Sequence, residues 1–541
     1  LAVNTTEPCH DLRLTLLGGG KKLATENILD IAPDKPYRTT VGIDRKYTES
    51  DLAIVLTDAA GKEILHFTPV RHDPNAPLPE IVERPKKPED IENTEECYLV
   101  GLRNLQFHNP FVDPTAYFRE VLRRDPGDTR ANTQMGVWYR KRGEYDKAAR
   151  YLRTAIRRQT HDYTRPKDAE AMYNLGLVLK AQGKTIYNMS VGTPDFKPYD
   201  HVVEALTQAA QDPEMWKYAL RDLPELKQAV CDYYERRFGV SGITPSMVQS
   251  CNGTQEGVGH LGLALLDPGD TILVPDPCYP VFEAGAKIAD AKLEYYPLVA
   301  EHNYLPYVAG IDPEVADRAK YMIVSLPANP VGSVGTPEVY EEIIAFAREH
   351  DLLIVHDNAY SDIVFDGEPG GSFLQYPGAL EVGVEFFSLS KSFNVTGARI
   401  GFLVGREDVV SAFTKLRSQI DFGMFFPIQK AAIACLNGPR DEVEAQRLKY
   451  QERRDALCDG LEGLGWERPN AHGSMFVWAK LPGGRTDSMA FCEELMEKAG
   501  VVVTPGASFG PSGEGHVRMA LVLPPDQIAL AVEAIREAGL Y

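Results

Sequence analysis

From Thr185 onward the chain repeats one pattern, a short and continuously apolar run followed by an amphipathic stretch of helical period. The clearest runs are Thr271-Ile-Leu-Val-Pro275, Tyr321-Met-Ile-Val-Ser-Leu326, Leu352-Leu-Ile-Val-His356 and Val384-Glu-Phe-Phe-Ser-Leu389. Strands that are apolar on both faces belong to a mostly parallel sheet covered by helices on both sides. Such sheets gather ligands beyond the C-terminal ends of their strands. The residues expected there are Asn329 in Pro327-Ala-Asn-Pro-Val-Gly332, Asp357 and Tyr360 in His356-Asp-Asn-Ala-Tyr360, and Lys391 in Ser388-Leu-Ser-Lys391.

A single lysine is ordinarily a solvated surface residue, so the case for Lys391 rests on its neighbours. Lysine is the amine that forms Schiff bases with pyridoxal phosphate, and Ser388 and Arg399 could reach that cofactor's phosphate from the same loop. The cofactor works as an electron sink only while its ring nitrogen stays protonated, which a buried carboxylate favours; Asp357 is the candidate. Asn329 and Tyr360 are donors suited to its phenolate oxygen. Upstream, Ser250-Cys-Asn-Gly-Thr-Gln-Glu-Gly257 is a glycine-containing turn that opens a helix. Backbone N–H groups at such a helix start attract phosphate, making Gly253, Thr254 and Gln255 the expected contacts; alone, the turn is an ordinary helix start. Tyr279 follows another strand, where it could stack on the cofactor ring.

The pattern Ser-Leu-Ser-Lys-Ser-Phe-Asn-x-Thr-Gly-x-Arg-x-Gly resembles the lysine signature of fold-type I, class I/II aminotransferases. Gly192, Tyr218, the Gly253 turn, Tyr279, Asn329, Asp357, Tyr360, Lys391, Arg399 and Arg518 match that family in order across roughly residues 186 to 541. The resemblance implies a large, mostly parallel sheet domain, a small α/β domain and pyridoxal 5'-phosphate as cofactor, with no metal. It makes Lys391, Asp357 and Tyr360 catalytic, puts Gly192, Asn329 and Arg518 on the substrate, and assigns Arg518 to the α-carboxylate. By the same resemblance Tyr218 reaches the phosphate of a neighbouring subunit, so the working unit would be a homodimer. The implied reaction is a ping-pong transfer of an α-amino group to a 2-oxo acid, with 2-oxoglutarate as acceptor. The run Gln419 to Ala432 resembles the branch holding LL-diaminopimelate, alanine and aspartate aminotransferases. Two departures stand out: Tyr218-Ala-Leu-Arg-Asp-Leu-Pro-Glu-Leu226 lacks the glycine common after this tyrosine and is one residue short, and a repeat-like helix replaces the family's front arm. The same lysine, aspartate and arginine would serve a lyase of this fold, which product analysis separates from a transferase. A regulator built on an inactive aminotransferase is disfavoured because no basic helix-turn-helix precedes Thr185 and every catalytic residue is present.

At 541 residues the chain exceeds one core, and about 150 residues per domain suggests two to four. Residues 1–72 read as a small β-sandwich-like segment with strands at Leu12–Leu17, Arg38–Ile43, Leu52–Leu56 and Glu63–Phe67. Residues 73–94 read as a proline-rich linker. Residues 95–184 take helical periodicity, and Gly136, Tyr139, Gly143, Ala148 and Ala155 resemble tetratricopeptide (TPR) offsets. Helical packing is the plainer function of that segment; a protein partner, which would make the chain a scaffold, is the alternative. The array stops after a first helix at Gly183-Lys184, which suggests a joined gene. Residues 185–541 are the aminotransferase-like part, with a large domain near 228–437 and a small one from 185–227 plus 438–541. A net charge of -20 argues against nucleic acid and anionic membrane as partners. Eight scattered cysteines and no signal-like start fit a reduced cytoplasm. The first residue is Leu1, which points to a processed or partial chain.

Overall fold

The computed structural model describes all residues except 6–7, 33–34, 45, 70–84, 161–167, 184 and 369, and the side chain of residue 29. It divides into two compact units, Leu1–Lys86 and Lys87–Tyr541.

In the first unit, β1 (Ala2–Val3) and β4 (Tyr37–Arg38) form a two-residue ladder. Strands β2 (Cys9–Gly18), β3 (Lys21–Ile31), β5 (Leu52–Thr57) and β6 (Glu63–Phe67) form an antiparallel sheet in the order β3-β2-β5-β6. Leu12, Leu14 and Leu16 are buried on one face of β2, the period of two that a half-buried strand requires. Leu12, Leu14, Ile28, Ile31 and Leu56 form one core with Val3 of the ladder. The strand expected at Arg38–Ile43 is corrected to the two residues of β4. Strand β3 went unread because Lys21, Lys22, Thr25, Glu26 and Asn27 obscure its apolar alternation, although a two-glycine turn ties it to β2.

The second unit begins with α1 (Thr94–Gln106), α2 (Pro114–Arg124), α3 (Thr129–Lys141), α4 (Tyr145–Thr160) and α5 (Glu170–Ala181). Asn93, Asp113 and Asp128 accept backbone N–H bonds at the starts of the first three, as capping residues do. A Cβ on Gly136 would come within 2.5 Å of Leu152, so this glycine is what lets α3 lie against α4. Leu175, Val178 and Leu179 of α5 pack on Ala148, Leu152 and Ile156 of α4, and Ile186 and Met496 join them. Of the expected linker, residues 73–84 lie outside the described residues; α1 starts at Thr94, inside the expected stretch.

After β7 (Tyr187–Asn188), α6 (Asp200–Gln211) and α7 (Pro224–Phe238), the chain builds a seven-stranded sheet. Its strands are β8 (Val248–Cys251), β9 (Thr271–Asp276), β10 (Lys292–Pro297), β11 (Ala319–Ser325), β12 (Leu353–Asn358), β13 (Gly383–Ser388) and β14 (Gly401–Gly405), in the order β10-β9-β11-β12-β13-β14-β8. The pairs from β10 to β13 are parallel, and β14 is antiparallel to both neighbours. Leu226, Val230 and Tyr234 of α7 pack on one face with Val324 and Phe387. Helices α8 (Thr254–Leu265) and α9 (Val281–Ile288) cover Ile272, Val274 and Ile323 on the other. Burial on both faces explains the continuous apolar runs.

A smaller sheet holds β15 (Phe476–Lys480), β17 (Thr504–Pro505) and β18 (His516–Ala520), while β16 (Val501–Val502) pairs with β7. Helices Asp441–Gly463 and Pro525–Glu537 supply Tyr450, Leu457, Ile528 and Ile535 to its core. Residues 185–227, expected from the sequence to belong to the small domain, divide between the two cores: Met189 joins the small one, whereas Tyr199 and Val202 join that of the large sheet. No described helix is long and apolar enough to cross a membrane.

Candidate active site

Parallel strands β11, β12 and β13 end at one edge of the large sheet, and the pairings Ser388↔Gly401 and Gly401↔Cys251 bring the start of β14 and the end of β8 to that edge. The reversed β14 is therefore what puts Arg399 and the Gly253 turn beside Lys391. A cavity of about 460 Å3 opens there. Gly192, Thr254, Gln255, Tyr279, Asn329, Asp357, Tyr360, Ser388, Lys391, Arg399 and Arg518 all line it.

Lys391 Nζ donates to the Gly192 carbonyl at 2.7 Å. Burial, with the charges of Arg399 and Arg518, lowers its ammonium to a pKa of about 8. Asp357 is buried, and that burial raises its carboxyl to about 6; the charge of His356 and a long 3.4 Å contact from the Ser325 hydroxyl offset little of it. Burial likewise raises the phenols of Tyr360 and Tyr279, keeping both as O–H donors. Tyr279 donates to Gln255 Oε1 at 2.8 Å.

At the other end of the cavity, Gly253 precedes α8 at φ 84°, and a Cβ there would fall 2.2 Å from the Arg399 guanidinium. Both the backbone angle and the space therefore demand glycine. Arg399 is itself in the left-handed region, at φ 54°, and its Nη1 donates to the Thr396 carbonyl at 3.1 Å. The start of α8, the Ser388 hydroxyl and this guanidinium make a cup for a dianion.

Arg518 lies between the rings of Phe476 and Phe509, 4.1 and 4.6 Å from their centres. It donates to Asn329 Oδ1 at 3.0 Å and to the Ser190 carbonyl at 2.9 Å, while its buried Nε has no partner among the described residues. Burial lowers its pKa to about 10. A buried guanidinium with a donor to spare is a seat for a carboxylate.

The residues fit pyridoxal phosphate: an anion cup at one end, a buried carboxylate that its neighbours do not neutralise at the other, and a lysine amine of lowered pKa in the same cavity. Residues 184–535 match the family model described as Aminotransferase class I and II. The chain belongs to that family. The LL-diaminopimelate aminotransferase of Desulforudis audaxviator is 42% identical over 358 residues, which cover 66% of this chain and 91% of that protein. The enzyme of the same name from Moorella thermoacetica is 41% identical, with coverage of 66% and 92%. Among solved structures, apo-BacF from Bacillus subtilis shares 38% identity at a TM-score of 0.64, covering 66% of this chain and 96% of its own. A double mutant of Thermus thermophilus aspartate aminotransferase shares 29% at 0.64, covering 70% and 98%. Residues 1–67 match the model described as YphG-like protein, second domain. This protein is a pyridoxal-phosphate-dependent aminotransferase, which moves an amino group between an amino acid and a 2-oxo acid.

Tyr218 stands apart from the aminotransferase's cavity, 83% exposed and 5.8 Å from the ring of Phe422. Sequence reading missed Ser190, Phe476, Phe509 and Thr504. The first acts through its carbonyl, for which no residue type gives a signal, and the others read as ordinary strand or turn residues. It also missed the fully buried pair behind Asp357, in which His356 Nδ1 meets Glu385 Oε2 at 2.8 Å. Glu385 further accepts from Tyr234, Ser372 and the Phe373 N–H. Its one signal was a lone carboxylate inside an apolar run.

Proposed function

We propose that this aminotransferase takes an LL-diaminopimelate-type donor, with aspartate and alanine as its nearest competitors and 2-oxoglutarate as acceptor. The unpartnered Nε of Arg518, in a cavity with Lys391 and Asp357, carries the reading of the site; relatives matched over nine-tenths of their length support the donor.

Pyridoxal phosphate, when bound, supplies the electron-withdrawing ring that acidifies the donor's Cα–H. Arg518 holds the donor's α-carboxylate, and Asn329 orients Arg518. Lys391, with a pKa of about 8, is partly neutral at ordinary pH and so can take the Cα proton and return it. Asp357 keeps the ring nitrogen protonated, and Tyr360 and Asn329 donate to the ring oxygen. Ser388, Arg399, Gly253, Thr254 and Gln255 bind the phosphate, Tyr279 faces the ring, and the Gly192 carbonyl positions Lys391.

The exposed rings of Trp216 and Phe425 lie against each other, as do those of Tyr218 and Phe422. Surfaces of that kind are usually covered, and we assign a second copy of the chain to these rings, with Tyr218 reaching the partner's phosphate cup. The helices α1 to α5 are taken as TPR-like, with a protein partner as their further use, and the first unit as sandwich-like. A cytoplasmic setting suits the eight scattered cysteines.

The test is a product assay: cofactor-loaded protein is given LL-diaminopimelate, aspartate or alanine with 2-oxoglutarate, and glutamate is measured. Parallel-line initial-rate plots and glutamate formation fit the reading. A 2-oxo product without glutamate, or an eliminated group, would assign a lyase instead.

A further inference from the structure

A second cavity, of about 930 Å3, lies where α4 and α5 meet the elements around the small sheet. Its wall is largely aliphatic and thioether, including Met172, Leu177, Ile186, Met489, Met496 and Val503. Among the described residues, exposed Lys180 and half-buried Glu493 are the charged groups on its wall. Neither is within ion-pair distance of a partner among the described residues, and burial together with the charge of Glu497 raises the Glu493 carboxyl against the weaker opposing charges of Arg157 and Arg153. A concave, mainly apolar cavity of several hundred Å3 with a few polar groups is the usual form of a small-molecule site. A plain hydrocarbon would leave Lys180 without a counter-charge, and an apolar anion would meet Glu493, whose carboxyl Arg157 and Arg153 only partly offset. A zwitterion matches both.

Ser190 and Val191 belong to the walls of both this cavity and the catalytic one. The Ser190 carbonyl accepts from Arg518 and, at 3.0 Å, from the Thr504 hydroxyl, while the Gly192 carbonyl accepts from Lys391. The segment 190–192 thus separates the two cavities and holds both catalytic cations.

We propose that the second cavity binds an apolar α-amino acid, its carboxylate on Lys180, its ammonium on Glu493 and its side chain among Met172, Leu177 and Met496, and that the occupant changes donor affinity at the catalytic cavity through Ser190 and Val191. This differs from the donor site in position, in residues and in leaving the ligand unchanged.

Titration calorimetry with L-leucine, L-methionine and L-phenylalanine on the cofactor-loaded Arg518→Gln variant tests binding, because that variant lacks the carboxylate anchor of the catalytic cavity. At least one of the three should bind once per chain. A Cβ on Gly176 meets nothing within 4 Å, so Gly176→Leu in the same background fills the cavity and should abolish binding. Lys180→Ala and Glu493→Gln should each weaken it about threefold or more; neither residue is in a core, so these variants carry the test if Gly176→Leu does not fold. With Arg518 intact, the same amino acid should shift the donor KM about fivefold or more, a usual size of coupling between sites, and Gly176→Leu should remove the shift while leaving kcat unchanged. No heat from any of the three, or binding that all three cavity variants leave intact, would overturn the site. Binding with an unmoved KM would overturn the coupling.

Discussion

Asp357 and Asp362 are both buried and lie close together in the chain, yet they sit in opposite electrostatic settings. Burial raises the Asp357 carboxyl to about 6, with no cation beside it able to reverse the effect. Burial works on Asp362 as well, but the Arg440 and Arg237 guanidinia overcome it and hold that carboxyl below its usual value. Asp362 is therefore a completed ion cluster that ties α7 to the start of helix Asp441–Gly463. Asp357 is half of one, and on the function proposed above the missing half would be the protonated ring nitrogen of the cofactor. A buried carboxylate gains functional meaning from the cation that the chain does not supply.

The contrast yields predictions of graded size. Lys391→Ala should cost amino transfer about 10³-fold or more, since proton transfer and the amine itself are lost; measured kcat/KM with an unchanged melting temperature checks it. Asp362→Asn should leave two partly exposed guanidinia facing a neutral group and destabilise the fold by about 1–3 kcal/mol, the usual size for lost hydrogen bonds between charged groups, read by urea denaturation. Arg518→Lys should raise donor KM about tenfold or more, because an ammonium cannot replace a planar fork between two rings, with kcat changing less.

The pH dependence of stability is the most specific expectation. The folded value of Asp357, about 6, lies above the unfolded value near 4. Between these pH values the folded chain holds a proton that the unfolded chain has released, so the stability of the cofactor-free protein should fall as pH rises from about 4 to 6. The slope integrates to about 3 kcal/mol at most. Asp357→Asn should flatten it and leave the cofactor-free protein more stable at pH 7, whereas Asp362→Asn should leave it less stable at pH 7 and the slope between pH 4 and 6 in place.

The catalytic edge was legible because parallel strands announce themselves as apolar runs, and reactive residue types cluster directly after them. Asn329, Asp357, Tyr360 and Lys391 all came from that rule, and one cavity holds them. What stayed hidden acts by backbone or by pairing across strands: the Ser190 and Gly192 carbonyls, the His356–Glu385 pair, and β3, whose polar residues conceal it until β2 lies beside it. The split of residues 185–227 between two cores was also out of reach, since the sequence shows which residues are apolar but not which core they join.

The most direct test of the unfinished ion pair is a comparison of urea stability at pH 7 for wild type and Asp357→Asn, each with and without saturating pyridoxal phosphate. The order should invert, with Asp357→Asn more stable than wild type without the cofactor and less stable with it. The same order in both conditions would contradict the assignment of Asp357 as the partner of the cofactor's ring.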